Sequence, residues 1–410
     1  MKKAWILLVC LVVLTASGCS TGSWDIFAPS SSETPSSSAP PRNYTKEFRD
    51  RWCYRRLSAR LQGAYAALYT AVRDCDGDGT ITIADSATGE DREYIGLQVS
   101  LPEPLRSAEE VQRLYTAFTW DNPQFFYIGN TYGYEGYQTG EDHYYNTISL
   151  VLTMNRVERT TAVERLEQVL AEIFAGRPAD ADAFDSELYL HDALAARCTY
   201  DRKTAEYPDP AERYPNAFTA YGALVEGQAV CEGYSRAMQL LLHRAGMECT
   251  LVSGYSAEGE SHMWNLVMVD ARCYHLDVTW NDAEDLPRHT FFNMTTDDIL
   301  LSHVIDKDNI GVNTCTAEEA NFYRRKGLYL DTYDPATIGR VVAEHIRAGE
   351  TVIDLRFPLE KLPNAQLLFS SHRRLSSYVN PLLRQEKLTL WDYTCQVNEV
   401  YGTVTISKEE

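Results

Sequence analysis

The run from Cys231 to Asp282 constrains the fold most, because it spells one amphipathic helix and three strand-like segments with little chain to spare. Behind Cys231, the side chains of Ala237, Leu240 and Leu241, with Met238 beside them, share one helical face, and Gly246 marks the end of the helix. Residues 249–255, 263–269 and 273–279 then alternate as strands do, and Asp270-Ala271 suits a tight hairpin turn between the last two. A helix backed by an antiparallel hairpin is an α+β arrangement.

The hairpin register decides which side chains meet. A turn at Val269-Asp270 sets His262 directly opposite Asp277, and a turn at Asp270-Ala271 sets them one diagonal apart on the same face. Either brings an imidazole and a carboxylate together at the open end of the hairpin. Cys231 begins the preceding helix, where the dipole and the unpaired amides of the first turn favour a thiolate. Three residue types needed for nucleophilic acyl transfer therefore converge. Cys231 is the candidate nucleophile, His262 the general base and later acid, and Asp277 the group that fixes the imidazole's tautomer. Backbone amides at the helix start are candidate oxyanion donors, with the Gln228 side chain as a further one. Trp264 and Trp280 are expected to wall the cleft, with a place in the core as the alternative. His275, His289 and His303 remain open as other sources of an imidazole.

These residues carry a resemblance. Gly227-Gln228-Ala229-Val230-Cys231-Glu232-Gly233-Tyr234, His262-Met263-Trp264-Asn265 and Tyr274-His275-Leu276-Asp277-Val278-Thr279-Trp280 resemble, in order and spacing, the motifs of the transglutaminase-like superfamily in its bacterial secreted form. Residue 263 is methionine where alanine is frequent. A looser likeness reaches His191-Asp192, Tyr200-Asp201, Phe292-Asn293 and His303. The resemblance implies a papain-like α+β core and acyl transfer at glutamine or peptide carbonyls, by a transglutaminase or a cysteine-protease type of reaction. It leaves open a non-catalytic scaffold of the same fold that grips a peptide or wall polymer.

The N-terminus reads as an address. Lys2-Lys3, an apolar run over residues 4–14 and the small residues Ala16-Ser17-Gly18 ahead of Cys19 form a signal peptide too short for a dedicated transmembrane helix. Ala-Ser-Gly-Cys resembles a bacterial lipobox, which implies lipidation at Cys19 and an extracytoplasmic, membrane-anchored lipoprotein. Residues 20–42, rich in serine and proline, read as a flexible tether.

Beyond the leader, residues 43–180 are expected to form an N-terminal α+β accessory domain, 181–310 the catalytic core and 311–410 a C-terminal α+β accessory domain. Helices are expected over 44–73, 107–119, 160–174, 186–196 and 337–348, and strands over 80–83, 144–154 and 351–357, with later strand-like stretches to Ile406. At 410 residues the chain exceeds one ordinary core. A formal charge of −20 argues against nucleic acid and against electrostatic adhesion to anionic lipid; the family resemblance implies a peptide or protein substrate, and the lipobox a lipid anchor, as partners.

Of the ten cysteines, two lie in the leader, and the other eight show no metal-finger spacing. With Cys231 kept as a thiol, seven remain, so a complete disulfide framework is excluded. No cofactor is required by this chemistry. One motif suggests a structural calcium ion: Asp74, Asp76, Asp78, Thr80 and Asp85 stand at the spacing of a calcium loop, with Gly79 at its sixth position. No clear helix follows it, and an acidic turn between helix and strand is the other reading.

Overall fold

The structure is a computed structural model that describes residues 42–84, 90–207, 210–283 and 288–409. The leader, Cys19 and nearly all of the tether lie outside the described residues. So does Asp85 of the acidic loop.

The helix expected over 44–73 is interrupted. A first turn, Thr45–Phe48, is followed by a 3-10 turn, Tyr54–Arg56, and only then by α1, Ala59–Arg73. The break is held from outside: the buried carboxylate of Asp121 accepts the backbone N–H groups of Cys53 (2.9 Å) and Tyr54 (2.8 Å), which satisfies donors that a continuous helix would have used. Ser58 then restarts the helix as its N-cap. Next come β1 (Thr80–Ala84), β2 (Asp91–Leu105), α2 (Ala108–Asp121), β3 (Ile128–Thr139) and β4 (Asp142–Leu152). The four strands make an antiparallel sheet in the order β1-β2-β4-β3. Strands β2 and β3 escape a period-two reading, since β2 carries Pro102 and Pro104 and a register shift after Ser100.

Two helices follow, α3 (Arg156–Ala175), opened by a capping box at Asn155 and Glu158, and α4 (Ala183–Arg197), capped by Asp182. The bridge of β5 (Thr199–Tyr200) with β6 (Gln228–Ala229) is parallel and leads into α5, Cys231–Arg244. Behind α5 lies an antiparallel sheet of β7 (Cys249–Ser256), β8 (Ser261–Val269), β9 (Arg272–Leu276) and β10 (His303–Ile305), in the order β10-β7-β8-β9. Helix α4 packs on the other side of α5. The architecture is the expected mixture of helices with curled antiparallel sheets.

The C-terminal unit holds α6 (Pro335–Arg347), β11 (Val352–Arg356), α7 (Leu362–Phe369), α8 (His372–Leu383), β12 (Tyr393–Asn398) and β13 (Thr403–Lys408). Its sheet runs β11-β13-β12. Helices α7 and α8 were not expected; the proline next to the start of α7 and Pro381 inside α8 break the sequence pattern without breaking the helices.

Packing groups the chain differently from its element order. One continuous apolar cluster runs from Phe48 to Ala320 and joins strands β2–β4 to α4, α5 and the β7–β10 sheet, so no gap in the core falls near residue 180, while Ile81 and Ile83 of β1 pack with Val151 in a small cluster of their own. Tie points include Trp52 Nε1–H to the Ile310 carbonyl (3.1 Å), Arg236 Nη1–H to the Thr119 carbonyl (2.8 Å) and the stacked rings of Phe126 and Tyr221 (4.9 Å). A second core, Tyr323 to Ile406, belongs to the C-terminal unit. Tyr401, in the turn between β12 and β13, crosses over and packs into the first core against Phe291 (5.0 Å). Among the described residues, no helix is long and apolar enough to cross a membrane.

Candidate active site

Cys231 is the first residue of α5 and is partly exposed. The first i→i−4 hydrogen bond of this helix is Tyr234 N–H to the Val230 carbonyl (3.1 Å), so the amides of Cys231, Glu232 and Gly233 head the helix and point past its end. Gly233 is required by packing: a Cβ there would lie 2.5 Å from the Ala217 carbonyl oxygen and 2.7 Å from the Ala229 Cβ. The helix start is thereby pressed against the 3-10 turn Pro215–Phe218, which also receives the Val230 N–H at 3.0 Å.

The hairpin turns at Asp270-Ala271, both with positive φ (49° and 61°), and Val269 faces Arg272. This is the diagonal register. Asp277, however, does not continue the strand. Strand β9 ends at Leu276, and Asp277 caps a helical turn, Val278–Asn281, where residues 277–279 had been expected as strand. The cap closes the diagonal gap: His262 Nε2–H donates to Asp277 Oδ2 at 2.7 Å. The Cys231 thiol lies near enough to the His262 imidazole to raise it further, and Nδ1 is the ring nitrogen that Asp277 leaves free. The three expected residues therefore meet.

Their electrostatics are mutually reinforcing. Burial alone would lower His262, but the charge and hydrogen bond of Asp277, with the Cys231 thiol, raise it to about 10. Burial would raise Asp277, yet the His262 charge and the N–H donors of His262 and His303 hold it well below the usual carboxylate range. Asp277 is fully buried and accepts three N–H groups, the third being the Trp280 backbone at 3.2 Å.

Two residues outside the expected set hold helix and sheet in register. Ser235 Oγ lies within hydrogen-bond range of the carbonyl oxygens of Cys231 (2.8 Å) and Met263 (2.9 Å), one on α5 and the other next to His262 on β8. Asn265 Nδ2 donates to the Ser235 carbonyl at 3.0 Å. The sulfur-to-imidazole spacing thus rests on this strut. Asn265 lay in the His-x-Trp-Asn motif; Ser235, one helical turn after Cys231, carried no sequence signal of its own.

Trp264 is fully buried and lies behind the imidazole, its ring 5.9 Å from His262 at an interplanar angle of 20°, so it takes the core alternative and does not wall a cleft. Its Nε1–H donates to His275 Nδ1 (3.1 Å), whose Nε2 faces Thr296 Oγ1 (3.1 Å). Burial lowers His275 to about 4, in keeping with a neutral acceptor. Trp280 is partly exposed at 5.4 Å from His262. Gln228 is exposed on β6, three residues before the sulfur. His303 reaches the same carboxylate as His262, with its Nε2 3.1 Å from Asp277 Oδ2.

His289 belongs elsewhere. His191, Asp192 and His289 bring their ligating atoms within 4.8 Å of one another, as a metal site would. Their hydrogen bonds argue against one. Asn281 Oδ1 accepts the Phe291 N–H (2.7 Å), which aims Asn281 Nδ2 at His191 Nε2 (3.0 Å). Nε2 is therefore an acceptor, the proton sits on Nδ1 and is donated to Asp192 Oδ1 (2.9 Å), and no lone pair is left for a cation. His289 Nε2 joins the same oxygen at 2.8 Å. This cluster clamps α4 to the chain beyond the helical turn.

In the acidic loop, Asp74 faces Tyr44 and Arg42, and Asp78 Oδ1 accepts the Arg156 N–H (2.6 Å) beside the start of α3. Two of the carboxylates expected around calcium, Asp74 and Asp78, are thus engaged by other partners. All eight described cysteines are free thiols.

Residues 168–278 match the model of the transglutaminase-like superfamily, and the fold there is the transglutaminase-like, papain-like arrangement of helix-borne cysteine and antiparallel sheet. The solved structures similar to it include a transglutaminase (15% identity, TM-score 0.27, 45% of this chain and 50% of that one). They also include an arylamine N-acetyltransferase of Bacillus cereus with a Cys-His-Glu triad (15% identity, TM-score 0.25, 40% of this chain and 75% of that one). The chain spans half the length of the first of these structures. No curated protein matches it.

Proposed function

We propose that this protein is a cysteine-dependent acyl-transfer enzyme acting on peptide or protein amides, with Cys231, His262 and Asp277 as its triad. One observation carries the reading: the partly exposed cysteine at the tip of α5 neighbours an imidazole whose Nε2 lies 2.7 Å from a buried carboxylate. His262 takes the thiol proton as the sulfur attacks the carbonyl carbon, and the amides heading α5 receive the developing oxyanion. Collapse breaks the carbon–nitrogen bond, His262 returns the proton to the leaving amine, and a thioester remains. Water or a second amine then attacks the thioester, His262 takes the incoming proton, and the released thiolate recovers one. The product is an acid or a new amide. Asp277 keeps the imidazole in the tautomer both steps need.

The test uses a thiol-reactive probe near neutral pH. Stoichiometric labelling that is lost in Cys231→Ala and weakened in His262→Ala supports catalysis. Labelling no faster than in denatured protein supports a scaffold that only grips its ligand. Incubation with an amine donor and a glutamine-bearing protein then separates crosslinking, seen as amine incorporation, from hydrolysis, seen as ammonia release or cleavage. The proposal includes an extracytoplasmic address with a lipid on Cys19, supported by the leader sequence. Radiolabelled palmitate incorporation that disappears in Cys19→Ser checks it.

A further inference from the structure

His303 belongs to a part of the chain that no motif of the triad covers. It opens β10, which pairs antiparallel with β7 so that Ile305 faces Gly254 and His303 faces Ser256. Gly254 makes this approach feasible: a Cβ there would stand 2.0 Å from the Val304 carbonyl oxygen and 2.8 Å from the Trp264 ring. The imidazole that arrives is 1% exposed and enclosed by aromatic rings, Trp264 at 4.8 Å, Trp280 at 4.3 Å and Phe291 at 5.7 Å.

Both ring nitrogens are engaged. Nε2 is 3.1 Å from Asp277 Oδ2, the oxygen that also receives His262, and Nδ1 is 2.7 Å from Ser302 Oγ. The carboxylate can only accept, so Nε2 carries the hydrogen, and the Ser302 hydroxyl is free to donate to Nδ1. The buried Tyr401 hydroxyl, which has no acceptor within hydrogen-bonding geometry among the described residues, lies beside Ser302. Its backbone carbonyl is fixed by the buried Arg356 (Nε at 3.0 Å). A line of polar groups thus runs from the C-terminal unit through Ser302 and His303 to Asp277.

We propose that His303 is a positioning residue of the triad: its Nε2–H holds Asp277 Oδ2 where it meets His262, and Ser302 fixes the tautomer that can do so. The inference rests on the acyl-transfer reading and adds a fourth residue to it. Asp277 stands at the mouth of a helical turn after its strand has ended, so the sheet ladder does not set the carboxylate's direction; the His262 and His303 N–H groups on Oδ2 and the Trp280 amide on Oδ1 do. Losing the His303 donor leaves Oδ2 held by His262 alone and the carboxylate free to pivot about its Oδ1 bond to the Trp280 amide, which loosens the imidazole that faces the sulfur.

The test is the rate at which iodoacetamide alkylates the Cys231 peptide of the full chain, followed by mass spectrometry from pH 5 to 9. The titratable groups facing the His303 ring are Asp277 and His262, with His275 on β9 and the Tyr401 hydroxyl further out. His303→Leu keeps the volume and removes the donor. It should slow alkylation on the acid side by about tenfold, moving the profile toward that of His262→Ala. His303→Gln keeps a donor of similar reach and should stay within about threefold of the wild type. Should the leucine variant not fold, His303→Asn replaces it, because the shorter amide stops short of Asp277 and must be slow where glutamine is fast. If all His303 variants match the wild type while His262→Ala does not, or if glutamine is as slow as leucine, His303 merely packs and the inference fails. If His262→Ala itself matches the wild type, the acyl-transfer reading fails instead.

Discussion

Glu187 offers a measurement that needs no substrate. It lies on α4, fully buried, with Oε2 accepting from Asn293 Nδ2 at 2.7 Å and Oε1 without a partner among the described residues. Burial raises this carboxyl to about 8, the Asn293 bond offsetting only part of the effect. An unfolded glutamate titrates near about 4.3. Because the folded value is the higher, the folded state binds the extra proton throughout that window. The stability it contributes is full below about pH 4 and is lost as pH rises through about 8. At about 1.4 kcal/mol per unit, the whole window amounts to roughly 5 kcal/mol, and the part between pH 6 and 8.5 to about 2–3 kcal/mol. Glu187→Gln preserves shape and one hydrogen bond and cannot ionise. Urea unfolding followed by tryptophan fluorescence should therefore show the wild-type midpoint falling relative to the variant by roughly 0.8 M between pH 6 and 8.5, for a slope near about 3 kcal/mol/M. Taking the difference between the two proteins removes the other titrating groups, including Asp121, which burial raises to about 6. Parallel midpoints for wild type and variant across this range would refute the reasoning, since Glu187 would then ionise as easily folded as unfolded.

Other outcomes follow from the site. Asp277→Asn keeps the shape but loses the charge and one of the two acceptor oxygens that serve the imidazoles and the Trp280 amide, and the acyl-transfer rate should fall by about 10³–10⁴, read as kcat with KM little changed. Ser235→Ala cuts the strut between Cys231 and Met263; alkylation at Cys231 should slow, and thermal unfolding should show a loss of about 1–2 kcal/mol. Gly233→Ala drives a methyl into the Ala217 carbonyl and should cost about 1–3 kcal/mol, with a lowered Tm and Cys231 reactivity reduced together.

The site was legible wherever chemistry followed a local period. Cys231 at a helix start, the Asp270-Ala271 turn and the diagonal approach of His262 and Asp277 all depend on residues close in sequence, whose geometry a register argument can reach. Asp277 leaving the ladder to cap a turn was not legible, because Tyr-His-Leu-Asp-Val-Thr-Trp alternates as a strand does whether or not the backbone stays extended. Trp264 belonged in the core because residues 262 and 264 share a face, which the period of two allows but does not orient. His303 was reachable only as one of several histidines: its place depends on β10 joining β7 across an intervening hairpin and a helical turn. The interrupted first helix failed for the same reason. Asp121, remote in sequence, supplies the acceptors that make the break stable.

The crossing of Tyr401 into the first core bears on how the chain comes to be. Synthesis delivers the polypeptide from its amino end, so the segments from Phe48 to Ala320 emerge well before the hairpin that carries Tyr401 against the flank of Phe291. Until residue 401 clears the exit, that flank stays open to water, and whatever handles the nascent chain meets a nearly assembled body with its last stopper missing. A nonsense codon ahead of residue 401 in the final hairpin would consequently leave a protein with Cys231, His262 and Asp277 and no plug beside Phe291.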